Sequence, residues 1–271
     1  MKNSLKVFIN LCFGLLVKIL SSFKYGHQIQ DNFIDKCLER SVKVIHKDVE
    51  LNLSIPNGIT RYRARTFSTK EPETLDWIDN FEKNSVFWDV GANIGLYSLY
   101  AAKKNHQTYC FEPSFFNLEF LARNINLNNL TDNILILPIA LNDKNKMSKL
   151  KLSSTVWGSA HSTFDKNYTS DGNKINEKMI YQTVGFSMND IAEIQKLPHP
   201  DYLKIDVDGI EHLILKGGNK LLKNIKSVLV ENSNNFFEQT DGIKNILDES
   251  GLKLSEEIKI DPNYSNQIWK R

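Results

Sequence analysis

The chain reads as an α/β protein built on a doubly wound, mostly parallel sheet, with an extension in front of it. Three observations lead there. Apolar runs of strand length alternate with segments of helix length from about residue 72 to residue 249, the order expected of right-handed crossovers in a parallel sheet. One such run, Val86 to Val90, enters a glycine-bracketed turn, Gly91-Ala92-Asn93-Ile94-Gly95, that leads directly into a helix. Its glycines and the following helix N-terminus would leave backbone N–H groups pointing outward, with room for a ligand. Finally, Asp89, Glu112 and Asp206 stand where strands end, the edge at which open α/β sheets bind ligands.

The elements follow in order. Residues 5–23 are largely apolar, with Lys6, Asn10, Gly14, Lys18 and Ser22 recurring every fourth position, a narrow polar stripe on a helix. The apolar run from Leu11 to Val17 is far shorter than the ~20 residues a bilayer span takes. Lys18 and the lack of a small-residue cleavage site argue against a signal peptide. Two readings stay open: a helix packed on the domain or a partner subunit, or an interfacial helix with Lys2, Lys6, Lys18 and Lys24 on anionic headgroups. Residues 31–46 read as a helix; 49–55 and 59–67, joined by Pro56-Asn57-Gly58, read as a β-hairpin. Residues 71–74 open a helix running through Trp77 and Phe81.

Beyond the glycine turn, residues 96–104 form a helix, 108–111 a strand, 115–128 a helix and 134–139 a strand. A short strand is expected at 150–152, and the polar stretch 153–182 suits a loop that covers a pocket and selects a substrate. Then come helix 188–194, strand 202–207, helix 211–222, strand 227–230 and helix 237–249, ended by Gly251. Residues 252–257 and 267–270 flank Asp261-Pro262-Asn263 as a closing antiparallel hairpin. The expected division is an extension over 1–65 and a domain over 66–271 with an insert at about 143–185.

Composition narrows the function classes. At 271 residues, with 41% hydrophobic and 24% charged residues, the chain suits one generous globular domain with an appendage. A net charge of +2 without a Lys/Arg run gives no case for a nucleic-acid partner. Cys12, Cys37 and Cys110 are odd in number and lack close spacing, so they read as core thiols in a reducing compartment.

Glu112, about 20 residues past the glycine turn, stands where a ribose would offer its hydroxyls. Nicotinamide dehydrogenases and S-adenosylmethionine (SAM) methyltransferases share this geometry. The former want a middle glycine where this chain has Asn93 and a third where it has Leu96, which hinders a pyrophosphate. SAM has no phosphate, and its ammonium could be neutralised by Asp89. A second cluster is Lys204-Ile-Asp206-Val-Asp208-Gly-Ile-Glu211-His212. Asp208 and Glu211 have the spacing of a helix capping box, which accounts for two of three carboxylates, so no metal site is expected.

These motifs, Asp89-Val-Gly-Ala-Asn-Ile-Gly95, Phe111-Glu-Pro113 and Lys204 to Glu211 with Gly217-Gly218, resemble the FkbM family of SAM-dependent methyltransferases from about residue 71 to Glu231. Glu231 resembles the family's acid after the fifth strand; Asp208 stands where the family commonly has Glu. The resemblance implies a seven-stranded, Rossmann-like class I methyltransferase sheet, SAM as cofactor, and O-methylation of a sugar, glycan, glycolipid or polyketide-like metabolite. The expected cofactor set is Asp89, Gly91, Ala92, Asn93, Gly95, Glu112, Pro113, Ser114, Ala140 and Asp206. A hydroxyl acceptor needs a proton taken from it: Asp206 is the favoured base, with His161 and His212 behind it, Lys204 orienting the acceptor or pairing with Asp206, and Ser159, His161 and Ser162 touching the acceptor. Intracellular SAM implies the cytoplasmic side, with peripheral membrane contact through residues 5–23 under the second reading above. The rivals are an NAD-dependent oxidoreductase and a membrane-associated adaptor that binds SAM without turnover.

Overall fold

A computed structural model describes residues 2–271, with side chains from residue 4 onward. The chain opens with two helices, α1 (Lys2–Ser21) and α2 (Gly26–Leu38). An antiparallel hairpin follows, β1 (Ser41–His46) and β2 (Val49–Ser54), then α3 (Gly58–Arg65) and α4 (Pro72–Asp79). Two expectations change here. The strand partner of β2 precedes it, so the helix expected over 31–46 stops at Leu38. The segment expected as the hairpin's second strand is a helix, because the Asn57 side chain accepts from the Thr60 N–H and caps it.

The main sheet comprises β3 (Val86–Val90), β4 (Gln107–Phe111), β5 (Ile134–Leu137), β10 (Tyr202–Ile205), β11 (Ser227–Ser233), β12 (Lys253–Lys259) and β13 (Tyr264–Lys270). Their spatial order is β12-β13-β11-β10-β3-β4-β5. The pairs from β11 through β5 are parallel; β13 runs against both β11 and β12. This is the seven-stranded, mostly parallel sheet the resemblance implied. Strand order reverses between β3 and β10, the switch point where ligands bind. Connecting helices are α5 (Leu96–Lys103), α6 (Phe115–Leu127), α7 (Met188–Ile194), α8 (Glu211–Lys216) and α9 (Phe237–Glu249). Both faces of the sheet are covered. Trp88, Val90, Leu203 and Val228 enter one core with Ile214 and Leu247, while Phe87, Tyr202 and Leu229 enter the other with Leu99 and Tyr100.

The polar insert is more ordered than expected. Strands β6 (Ala140–Leu141), β7 (Lys146–Leu152), β8 (Ser162–Phe164) and β9 (Met179–Phe186) form a second sheet in the order β6-β9-β7-β8. The stretch between β7 and β8 crosses the carboxyl edge of the main sheet as a loop, and the one between β8 and β9 reaches the same cavity through Ser170. The β1–β2 hairpin docks through two asparagines of α6 and its cap: Asn124 Oδ1 accepts from Ser54 N (2.8 Å), and Asn128 Oδ1 from Asn52 N (2.8 Å). That docking brings α3 to the rim of the same edge. By contrast α1 packs against α2, through bonds such as Gln30 Nε2 to Val17 O (2.9 Å), and nine of its large apolar side chains from Leu5 to Ile19 are 46–68% exposed. This exposure does not favour packing of the helix on the domain.

Candidate functional site

Four adjacent strand ends make the site. Along the carboxyl edge lie Glu112 after β4, the glycine turn after β3, Asp206 after β10 and Glu231 on β11, all facing a cavity of about 620 Å³. That is within the ~300–1,000 Å³ usual for small-molecule sites. Ile139, Ala140 and Pro113 wall the Glu112 end with apolar surface. Arg63 and Tyr62 of α3 and Asp261 and Tyr264 of the β12–β13 hairpin wall the other.

The turn is held by its own hydrogen bonds. Gly91 N and Ala92 N both donate to Phe111 O (2.9 and 3.3 Å), Asn93 N to Glu112 Oε2 (2.9 Å) and Gly95 N to Ala92 O (2.8 Å). Four of the five N–H groups expected to face a ligand are thus spent inside the fold, which leaves no nest for a phosphate. Gly91 has φ +84°, and a Cβ there would overlap the carbonyl oxygen of Asp206. Glycine is required because β10 ends against it. Gly95 (φ +88°) closes the turn against Leu121, and Ala92 faces a side recess of about 50 Å³ shared with Lys204 and Asp206. Neither Gly95 nor the buried Ser114 reaches the main cavity.

Glu112 is the centre of the apolar-walled end. Its Oε1 accepts from Ser114 N (2.8 Å) while Oε2 accepts from Asn93 N, and one lone pair per oxygen remains for a ligand. Burial pushes its carboxyl up to about 7, against those two backbone donors. Asn93, at φ +51°, also sends Nδ2 to Ser159 O (2.9 Å), a carbonyl that Asn117 Nδ2 reaches at 3.3 Å. Arg63 Nε donates to Gly158 O (2.7 Å) and Asn57 Nδ2 to Trp157 O (2.9 Å). The loop is pinned over the cavity by body side chains gripping its backbone, and it presents Ser159, His161 and Ser162 to the interior.

Asp89 does not line the cavity. It lies beneath the turn on the opposite face of the sheet, 1% exposed, where Oδ2 accepts from Ser98 Oγ (2.5 Å) and burial raises its carboxyl. The expectation that it neutralises a cofactor's ammonium is corrected: its partner across the β3–β10 pairing is Lys204. Lys204 is itself buried, 5.0 Å from the Tyr97 ring centre, and donates to Asp206 Oδ2 (2.7 Å). Burial opposes ionisation of Asp206, but Lys204, with Lys70 and Arg63 beyond, holds its carboxyl below the usual range. Asp206 is an anchored anion at the cavity wall, the wrong tendency for a group that must accept a proton.

The capping box is also corrected. The residue before α8 is Ile210; Asp208 turns away at φ +64°, and its Oδ2 takes the N–H groups of His161 (2.7 Å) and Ser162 (3.2 Å). Glu211 accepts from Val207 N (3.1 Å), from Gly209 N and from Gln239 Nε2. His161 is exposed with Nδ1 3.6 Å from Asp208 Oδ1 and faces the cavity. His212 does not: it is buried edge-on to Phe236 (6.1 Å), burial lowers its basicity, and it has no part in the site. Tyr62, Arg63, Asp261 and Tyr264 were missed from sequence because they belong to no strand-end motif.

Similarity to known proteins agrees with this geometry. The family model described as "Methyltransferase FkbM domain" matches residues 89–254, more than half of the chain. The hexuronic acid methyltransferase AglP of Haloferax volcanii is 25% identical over 154 residues, covering 57% of this chain and 58% of that protein. The matched chain thus spans less than two thirds of that relative. Similar solved structures include the precorrin-6y C5,15-methyltransferase of Geobacter metallireducens GS-15 (13% identity, 74% of this chain, 86% of that one, TM-score 0.44). Another is P. horikoshii TYW2 in complex with MeSAdo (13% identity, 85% and 70%, TM-score 0.47).

Proposed function

Because the chain belongs to the FkbM methyltransferase domain family, we propose that it transfers the methyl group of SAM to a hydroxyl of a small molecule, in particular a sugar or sugar acid. The observation that carries this is the buried Glu112 carboxylate, fixed by two backbone donors beside an apolar wall at one end of a cavity whose other end is acidic. Apolar wall, paired acceptor oxygens and acidic far end match in turn a base, a ribose and a positive centre. When bound, the cofactor supplies a methyl group on a positively charged sulfur. The protein's share is alignment of the acceptor and removal of its proton. A turn with its N–H groups spent disfavours the dinucleotide alternative. A sugar acceptor is supported by the hexuronic acid methyltransferase similarity and by two tyrosines in the cavity lining, Tyr62 and Tyr264, suited to the faces of a ring. A net charge of +2 without a Lys/Arg run supports a small molecule over nucleic acid.

Isotope transfer from methyl-labelled SAM tests the reading, with hexuronic acid glycosides, a glycolipid extract and total RNA as separate acceptors. Label in the saccharide arms is expected. Label confined to RNA overturns the acceptor class, and SAM binding with no transfer to any arm leaves the binding-only adaptor.

The α1–α2 extension supports attachment to the cytoplasmic face of a membrane. No described α1 side chain is buried, and residues Ser4–Ser21 are long and apolar enough to cross a bilayer by length and composition. We favour the interfacial mode, since Lys6 and Lys18 would both be carried into the hydrocarbon by a spanning helix. Flotation with anionic liposomes, with and without residues 1–25, tests it; failure of the full chain to float ends it.

A further inference from the structure

We propose that Glu231, not Asp206, faces the reacting oxygen and takes the proton that leaves it. The inference rests on SAM as the ligand of the cavity. Its first ground is position. In the parallel pairing of β10 with β11, Ile205 lies opposite Val230, so Asp206 and Glu231 are the next residues on adjacent strand ends and both face the cavity. With strands roughly 5 Å apart, Glu231 lies about 15 Å along the edge from Glu112. If the ribose is held at Glu112, the cofactor's reactive end lies toward Glu231.

The second ground is an accounting of hydrogen bonds. Six carboxylates meet at this edge or line its cavity, and five are committed. Glu112 takes two backbone donors, Asp206 takes Lys204, Asp208 takes the N–H groups of His161 and Ser162, Glu211 takes Val207, Gly209 and Gln239, and Asp261 takes the N–H groups of Asn263 and Tyr264. Among the described residues the Glu231 carboxylate has no partner, and it is half-buried with its open side on the cavity. An unengaged carboxylate at the reactive end is what accepting a hydroxyl proton needs. As the acceptor oxygen forms its bond to the methyl carbon, the carbon–sulfur pair stays with sulfur and the O–H proton passes to a Glu231 oxygen.

The surroundings tune that oxygen. Burial, then Asp206, Asp208 and Glu211, raise the Glu231 carboxyl well above the ordinary range against Lys204 on β10; Tyr264 of β13 is its remaining titratable neighbour. A sulfonium seated beside it would lower it again, so the charged cofactor would draw the proton off and the neutral product would not. The base is then armed only when the methyl donor is present.

Calorimetry in buffers of different ionisation heat, near neutral pH, counts the protons released on binding. The full chain is expected to release more with SAM than with S-adenosylhomocysteine, the Glu112 contribution being common to both. Glu231→Gln should abolish that difference, keep the S-adenosylhomocysteine affinity within about threefold, and cut turnover about a hundredfold or more. An undiminished SAM-minus-homocysteine difference in Glu231→Gln, or none in the wild type, overturns the assignment. Failure of the wild type to bind either nucleoside instead overturns the SAM reading beneath it. Should Glu231→Gln misfold, Glu231→Asp is the second variant: it shortens the reach and should slow turnover while keeping the proton difference.

Discussion

Glu112→Gln separates the cofactor end of the site from the fold. In the folded chain burial lifts this carboxyl from the ordinary 4.5 to about 7, and at about 1.4 kcal/mol per unit that is roughly 3 kcal/mol. The sign follows from linkage. A group whose folded pKa is raised favours the fold fully below its unfolded pKa and loses that contribution as pH climbs through the folded one. The wild type therefore forfeits about 3 kcal/mol between roughly pH 4.5 and pH 8 that the glutamine variant does not. A fixed offset accompanies it, because one glutamine oxygen cannot accept from both Asn93 N and Ser114 N, and a buried orphaned donor costs about 1–3 kcal/mol at every pH. Urea unfolding of both proteins at the two pH values measures the difference of differences, in which other titrations cancel. The variant should gain about 2–3 kcal/mol on the wild type as pH rises, while its affinity for S-adenosylhomocysteine falls at least tenfold. A gap that stays constant within about 0.5 kcal/mol would refute the claim that Glu112 is held near neutrality by burial.

Two further outcomes follow from the centre of the sheet. Lys204→Met strips the cation from between Asp89 and Asp206; Asp89 is wholly buried while Asp206 opens on the cavity, so a loss of about 3 kcal/mol is expected at neutral pH. Both acids would then take up protons more readily, so the loss should shrink below about pH 5, as urea midpoints at the two pH values would record. Gly91→Ala sets a Cβ into the Asp206 carbonyl at a φ of +84°, and should cost more than about 2 kcal/mol together with nucleoside binding, measured by the same unfolding and calorimetry.

What could be read from the residues was what local chemistry determines alone. The run Val86 to Val90 is apolar at most positions because both faces of its strand are covered, and the glycines after it are needed by a backbone contact, so strand, turn and a cavity-lining Glu112 were legible together. The extension was not. Residues 41–46 form a strand with Ile45 62% exposed and His46 half-buried, so its polar and apolar residues do not sort by face and no strand period marks it. Residues 59–67 alternate, yet Thr60, Ala64 and Phe67 recur at helical spacing and are the ones buried. The insert's β7 is interrupted by Lys146, Lys149 and Lys151, and β9 by Gln182 and Thr183, which hid strands inside a polar stretch. Asp208 and Glu211 had capping-box spacing, but the left-handed backbone at Asp208 aims its carboxylate at the loop, a preference no spacing rule contains.

The two ends of the cavity differ in how they are encoded, and this bears on what the site would select. Everything at the Glu112 end comes from a strand and the turn or helix next to it, within the residues matched by the family model. The walls at the opposite end come from α3 and from the tip of the β12–β13 hairpin, at 59–63 and 260–264, outside that match on both sides. They meet only because the β1–β2 hairpin docks on α6 and because β13 pairs antiparallel with β11, both long-range events. A cofactor of fixed shape can be held by one local motif, whereas an acceptor must be gripped from separate directions. Proton removal belongs at the junction of these regions, and Glu231 sits there, on the strand that pairs with the hairpin and beside the strand that carries Asp206.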